Sequence, residues 1–94
     1  MTLAVDQLAH DLNLSPSDLI RRSVAAFLER ERRAAQMDMA DLQDRYGART
    51  SAELAVKIER GEVYSHPAWE ELIEWQNLEA YLERLARWQS SCVI

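Results

Sequence analysis

Residues 5–33, VDQLAHDLNLSPSDLIRRSVAAFLERERR, confine the chain to one local path: a short helix, a break and a sharply started longer helix. Leu8 and Leu12 stand four apart, with Val5 and Ala9 on the same face, which is the spacing of a packed helical turn over Leu3–Leu12. Asn13 ends that turn. Ser15 is a strong N-cap, Pro16 suits the first helical position because its missing N–H costs nothing there, and Asp18 completes an S-x-x-D box. Ile20, Val24, Phe27 and Leu28 then recur at helical spacing as an apolar stripe. The following ERERRAA is made of good helix formers, so the helix is expected either to run through Met37, Met39 and Leu42 towards Tyr46 or to break near Ala34–Asp38, where no Gly or Pro enforces an end.

The remaining punctuation is equally local. Gly47 stands where a C-cap belongs, Thr50-Ser51-Ala52-Glu53 is a second capping box, and Gly61 closes the short helix that the box opens, with Leu54, Ala55 and Ile58 inward. The chain has only these two glycines, so neither is free for a phosphate loop. His66 precedes a proline and is therefore pushed out of the helical region, and Pro67 starts a last helix reaching about Gln89. No strand pattern and no internal repeat survive this reading. The expected fold is all-α: a helix-turn-helix pair, a short helix and a long C-terminal amphipathic helix.

Charge divides the chain at about residue 35. Sixteen acidic and eleven basic side chains leave a net charge of −5, the wrong sign for a protein that coats nucleic acid. Residues 1–35 balance five acids against five arginines, and residues 36–94 carry the whole excess. Two regions with different partners are expected: 1–35 for dimerisation and 36–94 for an acidic, partner-binding surface. Ninety-four residues make one domain with a small core. The N-terminus lacks the basic and apolar pattern of a signal peptide. The longest apolar run, Val24–Leu28, is far short of the ~20 residues that span a bilayer. The single Cys92 has no internal disulfide partner and is third from the end, which misses the prenylation pattern. A cytoplasmic protein without membrane contact is expected.

The LSPSDLIRRSVAAFLERE string resembles the two helices of the ribbon-helix-helix family of small repressors and antitoxins. On that resemblance two protomers interlock, and Leu8, Leu12, Leu14, Ile20, Val24 and Phe27 match the shared dimer core, with Leu28 alongside them. Ser15 and Ser17 match the helix start that anchors a DNA phosphate, where free N–H groups and the helix dipole favour an anion, and Arg21 and Arg22 add phosphate contacts. The other reading of Ser15 is a plain cap of a helical hairpin. The family's reading strand should precede Leu3, where only Met1 and Thr2 stand. Either the true start lies upstream of Met1, or the protein keeps the dimerising helices without the ribbon. DNA binding by these residues is accordingly expected to be weak and made through phosphate.

Residues Arg45–Leu85, with RYGARTSAEL and HPAWEELIEW in them, are similar to the C-terminal part of small uncharacterised prokaryotic proteins, which often accompany antitoxin-like N-terminal regions. That likeness brings no activity with it. The last helix is rich in large apolar residues: Trp69, Leu72, Ile73, Trp75, Leu78, Leu82, Leu85 and Trp88 occupy more than one face. Trp75, Leu78, Leu82 and Leu85 form one seam at 3-4-3 spacing, and Trp69 with Ile73 form a second strip that Tyr81 and Trp88 broaden. Some of this surface is expected to meet another chain, since tryptophan is enriched at binding hot spots. The alternative is that all three tryptophans are internal. Glu70, Glu71, Glu74, Glu79 and Glu83 recur at helix-surface spacing, which fits a solvated face and, functionally, attraction to a basic protein partner such as a toxin.

No catalytic or metal-binding residue and no cofactor is expected. His10 and His66 are far apart, Cys92 has nothing nearby to lower its pKa, and no metal-ligand spacing or serine–base arrangement is present. The leading expectation is an antitoxin-type or small transcriptional regulatory protein that forms a homodimer. Its alternative is a helical adaptor or structural subunit that binds no DNA.

Overall fold

A computed structural model describes residues 4–91, which form four helices and no strand. They are α1 (Val5–Asp11), α2 (Pro16–Tyr46), α3 (Ser51–Glu59) and α4 (Ser65–Ser91). Leu3 and Cys92, used in the sequence reading, lie outside the described residues.

Each break is built by the residues that flank it. Asn13 adopts the left-handed conformation (φ 58°), which lets Leu14 N–H reach back to Ala9 O at 2.8 Å and Asn13 N–H to His10 O at 3.1 Å. That pair of bonds is a Schellman motif, and it satisfies two carbonyls that the end of α1 would otherwise leave free. Ser15 Oγ accepts from Asp18 N–H at 3.1 Å, and Pro16 opens α2. Gly47 (φ 59°) ends α2 and directs Ala48 N–H to Gln43 O. Thr50 caps α3 by accepting from Glu53 N–H at 3.2 Å, although the Glu53 carboxylate accepts from Arg49 N–H, one residue before the cap expected from a capping box. Gly61 (φ 71°) closes α3 through the same pair of bonds as Asn13. Inside α4, His66 is extended (φ −123°, ψ 121°), so the regular helix starts at Pro67 as the proline rule requires.

With 31 residues, α2 is roughly 46 Å long and is the axis of a molecule measuring 60 × 27 × 19 Å. It crosses residue 35 without interruption. The boundary expected from charge therefore falls inside one continuous helix. The α4 helix returns antiparallel along α2: the Arg45 guanidinium meets the Glu71 carboxylate near one end, and Gln89 Nε2 donates to Glu29 Oε2 at 3.2 Å near the other. The main core lies where α2 ends, with Leu42, Ala48, Leu54, Leu72 and Trp75 buried together and Met39, Tyr46, Ile58 and Leu78 packed around them. Along the α2–α4 seam, Leu28, Ala35 and Leu85 are also buried. Because α4 reaches only as far as Glu29, α1 and the first three turns of α2 project beyond it.

Candidate interaction surface

The projecting end carries the strongest apolar feature of the molecule. Ile20, Val24, Leu28, Ala35 and Leu42 lie on one face of α2 at spacings of four and seven. From Leu28 onward that stripe is covered by α4 and α3. Ahead of it, Ile20 (54% exposed), Val24 (41%) and Phe27 (51%) continue the stripe with nothing over them among the described residues. Helix α1 packs beside this segment, buries Ala9 and leaves Leu8 and Leu12 half exposed. Between the two helices runs an open groove of about 330 Å³, lined by Val5, Leu8, Leu19, Ile20 and Val24 among others. Leu14 is half-buried in the connecting turn.

Leu28 requires a correction. The resemblance sets it beside the dimer core, but it is buried in the monomer, on the α2–α4 seam.

The phosphate-anchoring residues are brought together at the start of α2, although most are engaged locally. Ser15 Oγ is occupied as a cap acceptor, and Ser17 Oγ lies 3.3 Å from it. Arg21 is paired with Asp18 at 2.5 Å, while Arg22 is fully on the surface.

On α4 the eight candidate residues separate into two groups. Trp75 is wholly buried, and Leu72 and Leu85 are buried with it, so these three are core residues and not surface anchors. Leu78 and Leu82 are half-buried on the same seam. The 3-4-3 seam is therefore the α2-facing side of a helical hairpin. Trp69 (57% exposed), Ile73 (54%) and Trp88 (63%) do face outward. Tyr64, in the connection before Pro67, is 90% exposed and was missed by the sequence reading. Its one signal was an aromatic side chain in a segment that the following proline forces to be extended.

Two of the surface acids have structural duties instead. Glu79 accepts from Ser51 Oγ at 2.6 Å and from Ser51 N–H at 3.2 Å, which fastens the start of α3 to α4. Glu71 neutralises Arg45, and the same carboxylate, after burial itself, raises the Tyr46 pKa. At the far end of the seam, Glu29 is held at about 2, below its ordinary 4.5, chiefly by its bond to Arg32 and further by Arg33 and Gln89. Tyr81 Oη donates to Glu31 Oε1 at 2.6 Å, and that bond raises the tyrosine pKa.

Among the described residues, no group of three or more His, Cys, Asp or Glu side chains is placed to hold a metal. No helix there is long and apolar enough to cross a membrane.

A family model described as Uncharacterized protein MJ0235 family matches residues 1–91, through both the projecting helices and the α3–α4 core. The chain belongs to that family. No curated protein and no solved structure matches it. The match runs across position 35 and so spans both charge regions.

Proposed function

We propose that this chain is a small regulatory protein of the antitoxin type, which pairs with a second copy through α1 and the start of α2 and holds a basic protein partner on α4. The observation that carries the reading is the uncovered continuation of the α2 stripe at Ile20, Val24 and Phe27, flanked by Leu8 and Leu12. Five large side chains, each about half exposed, amount to roughly 400–500 Å² of apolar surface, close to the apolar share of one side of a standard homodimer interface. A second copy is the occupant that charge favours. Residues 1–35 are net neutral, so two such segments meet without the repulsion that the −5 of residues 36–94 would bring.

Sedimentation of the full chain at micromolar concentration tests this reading. The wild type is expected to be a dimer and the Val24→Asp/Phe27→Asp double variant a monomer that keeps its helical signal, because both residues lie outside the α2–α4–α3 core. A monomeric wild type overturns it.

A helical adaptor that does not touch DNA is the second reading. It is favoured by the local engagement of Ser15 and Arg21 within the first turns of α2. Under the regulatory reading, DNA affinity is weak, almost indifferent to sequence and steeply salt-dependent, as phosphate contacts are. Fluorescence anisotropy with a random duplex separates the two: no binding at low salt supports the adaptor, and a tight complex with one sequence at physiological salt contradicts both.

A further inference from the structure

A second exposed apolar feature lies at the other end of the molecule and differs from the first in its charge. Trp69 and Ile73 are four residues apart on α4 and form one row. Glu70 and Glu74 form the adjacent row, both exposed. Beyond them, Glu74 lines a shallow depression with Asp38, Asp41 and Arg45 of α2. The Arg45 charge is committed to Glu71. Asp38, Asp41 and Glu74 make no ion pair with a lysine or arginine among the described residues, and Glu70 faces only His66, whose Nδ1 is 3.6 Å away. Trp88 belongs to a different setting, roughly 28 Å further along α4 by helical rise and beside Arg84 and Arg87.

We propose that the outer face of the first turns of α4 is the docking site for a basic amphipathic helix of a partner protein. Its apolar side covers Trp69 and Ile73, and its lysines or arginines face Glu70, Glu74, Asp38 and Asp41. The inference rests on the reading of the chain as an antitoxin-type protein with a basic partner, and it restricts that partner to one end of α4 and excludes Trp88 from the site. Charge selects the occupant. A second copy would bring the same four carboxylates against themselves, and a nucleic acid would bring phosphates; both are repelled. A cationic helix is attracted, and the exposed indole face of Trp69 adds a cation–π contact that an aliphatic patch lacks.

The probes are two 18-residue synthetic amphipathic helices with identical leucine faces, one with lysine and one with glutamate on the polar face. Each is titrated into the ¹⁵N-labelled full chain and followed by amide shifts and calorimetry. The lysine helix is expected to move amides of residues 38–41 and 64–74 and to bind at least tenfold more tightly than the glutamate helix. Trp69→Ala/Ile73→Ala should weaken it at least tenfold at unchanged melting temperature, since both side chains lie at the surface. Glu70→Lys/Glu74→Lys should weaken it and flatten its salt dependence, whereas Trp88→Ala should have no effect.

Undiminished binding by Trp69→Ala/Ile73→Ala, or shifts confined to other residues, overturns the site while leaving a basic partner in place. Absence of binding by the lysine helix overturns the site and the basic partner together. Neither result touches self-association through residues 8–27, which sedimentation reads separately.

Discussion

Trp75 and Trp69 stand six residues apart on one helix and have opposite roles. Trp75 is wholly enclosed by Leu42, Ala48, Leu54 and Leu72, and its Nε1–H is buried without an acceptor among the described residues. Truncation to alanine empties the largest side chain in the core and should cost about 3–5 kcal/mol of stability by urea unfolding. Trp75→Phe should cost clearly less, because it removes an unsatisfied donor that itself carries a penalty of about 1–3 kcal/mol. Trp69→Ala should change stability by no more than about 0.5 kcal/mol. Equal losses at the two positions would show that Trp69 is not a surface residue. The two tryptophans were indistinguishable in the sequence, since α4 carries apolar residues on several faces and spacing alone does not say which face a neighbour covers.

The helices owe their ends to single residues, and their mutual fixation to a few polar ties. A Cβ added at Gly47 would meet nothing within 4 Å, so Gly47→Ala isolates the cost of holding a side chain in the left-handed region (φ 59°). That cost should be about 1 kcal/mol, read as a lower midpoint at unchanged denaturant slope.

Glu29 links α2 to the last turns of α4 and sets a pH dependence. Its pKa falls from the ordinary 4.5 to about 2 on folding, so its contribution is complete above about 4.5 and is lost as pH drops through the folded value. Glu29→Gln should therefore lose less stability than the wild type between pH 4.5 and 2, in a pH series of denaturant melts. An identical acid profile for both proteins would remove Glu29 from that role.

At the scale of the whole molecule, the decisive feature is a mismatch of length. Helix α2 continues for about three turns past the described part of α4, and its stripe remains apolar there. If a second copy covers that stripe, folding and association are linked, and the melting temperature should rise with protein concentration. For Val24→Asp/Phe27→Asp it should be independent of concentration. A wild-type melting temperature that stays constant over a hundredfold range of concentration would contradict the proposed dimer.

Most helix boundaries were legible in the sequence alone, but the continuity of α2 through Ala34–Asp38 was not. Ser15-Pro16, Asn13, Gly47, Thr50, Gly61 and His66-Pro67 each act on the backbone within about five residues, so no knowledge of distant neighbours is needed to place them. The exposed apolar stripe of α2 was partly legible for the same reason, since Ile20, Val24 and Phe27 follow helical periodicity.

Which apolar residues remain open was decided only by the tertiary structure. Burial depends on where α4 lies along α2 and where it ends, and that register is set by contacts between residues 26 to 60 positions apart, such as Arg45 with Glu71 and Glu29 with Gln89. Those contacts put Leu28, Leu72, Trp75 and Leu85 inside and left Phe27, Trp69, Ile73 and Trp88 facing outward. They also turned Glu79 from an apparent surface charge into the clamp on Ser51.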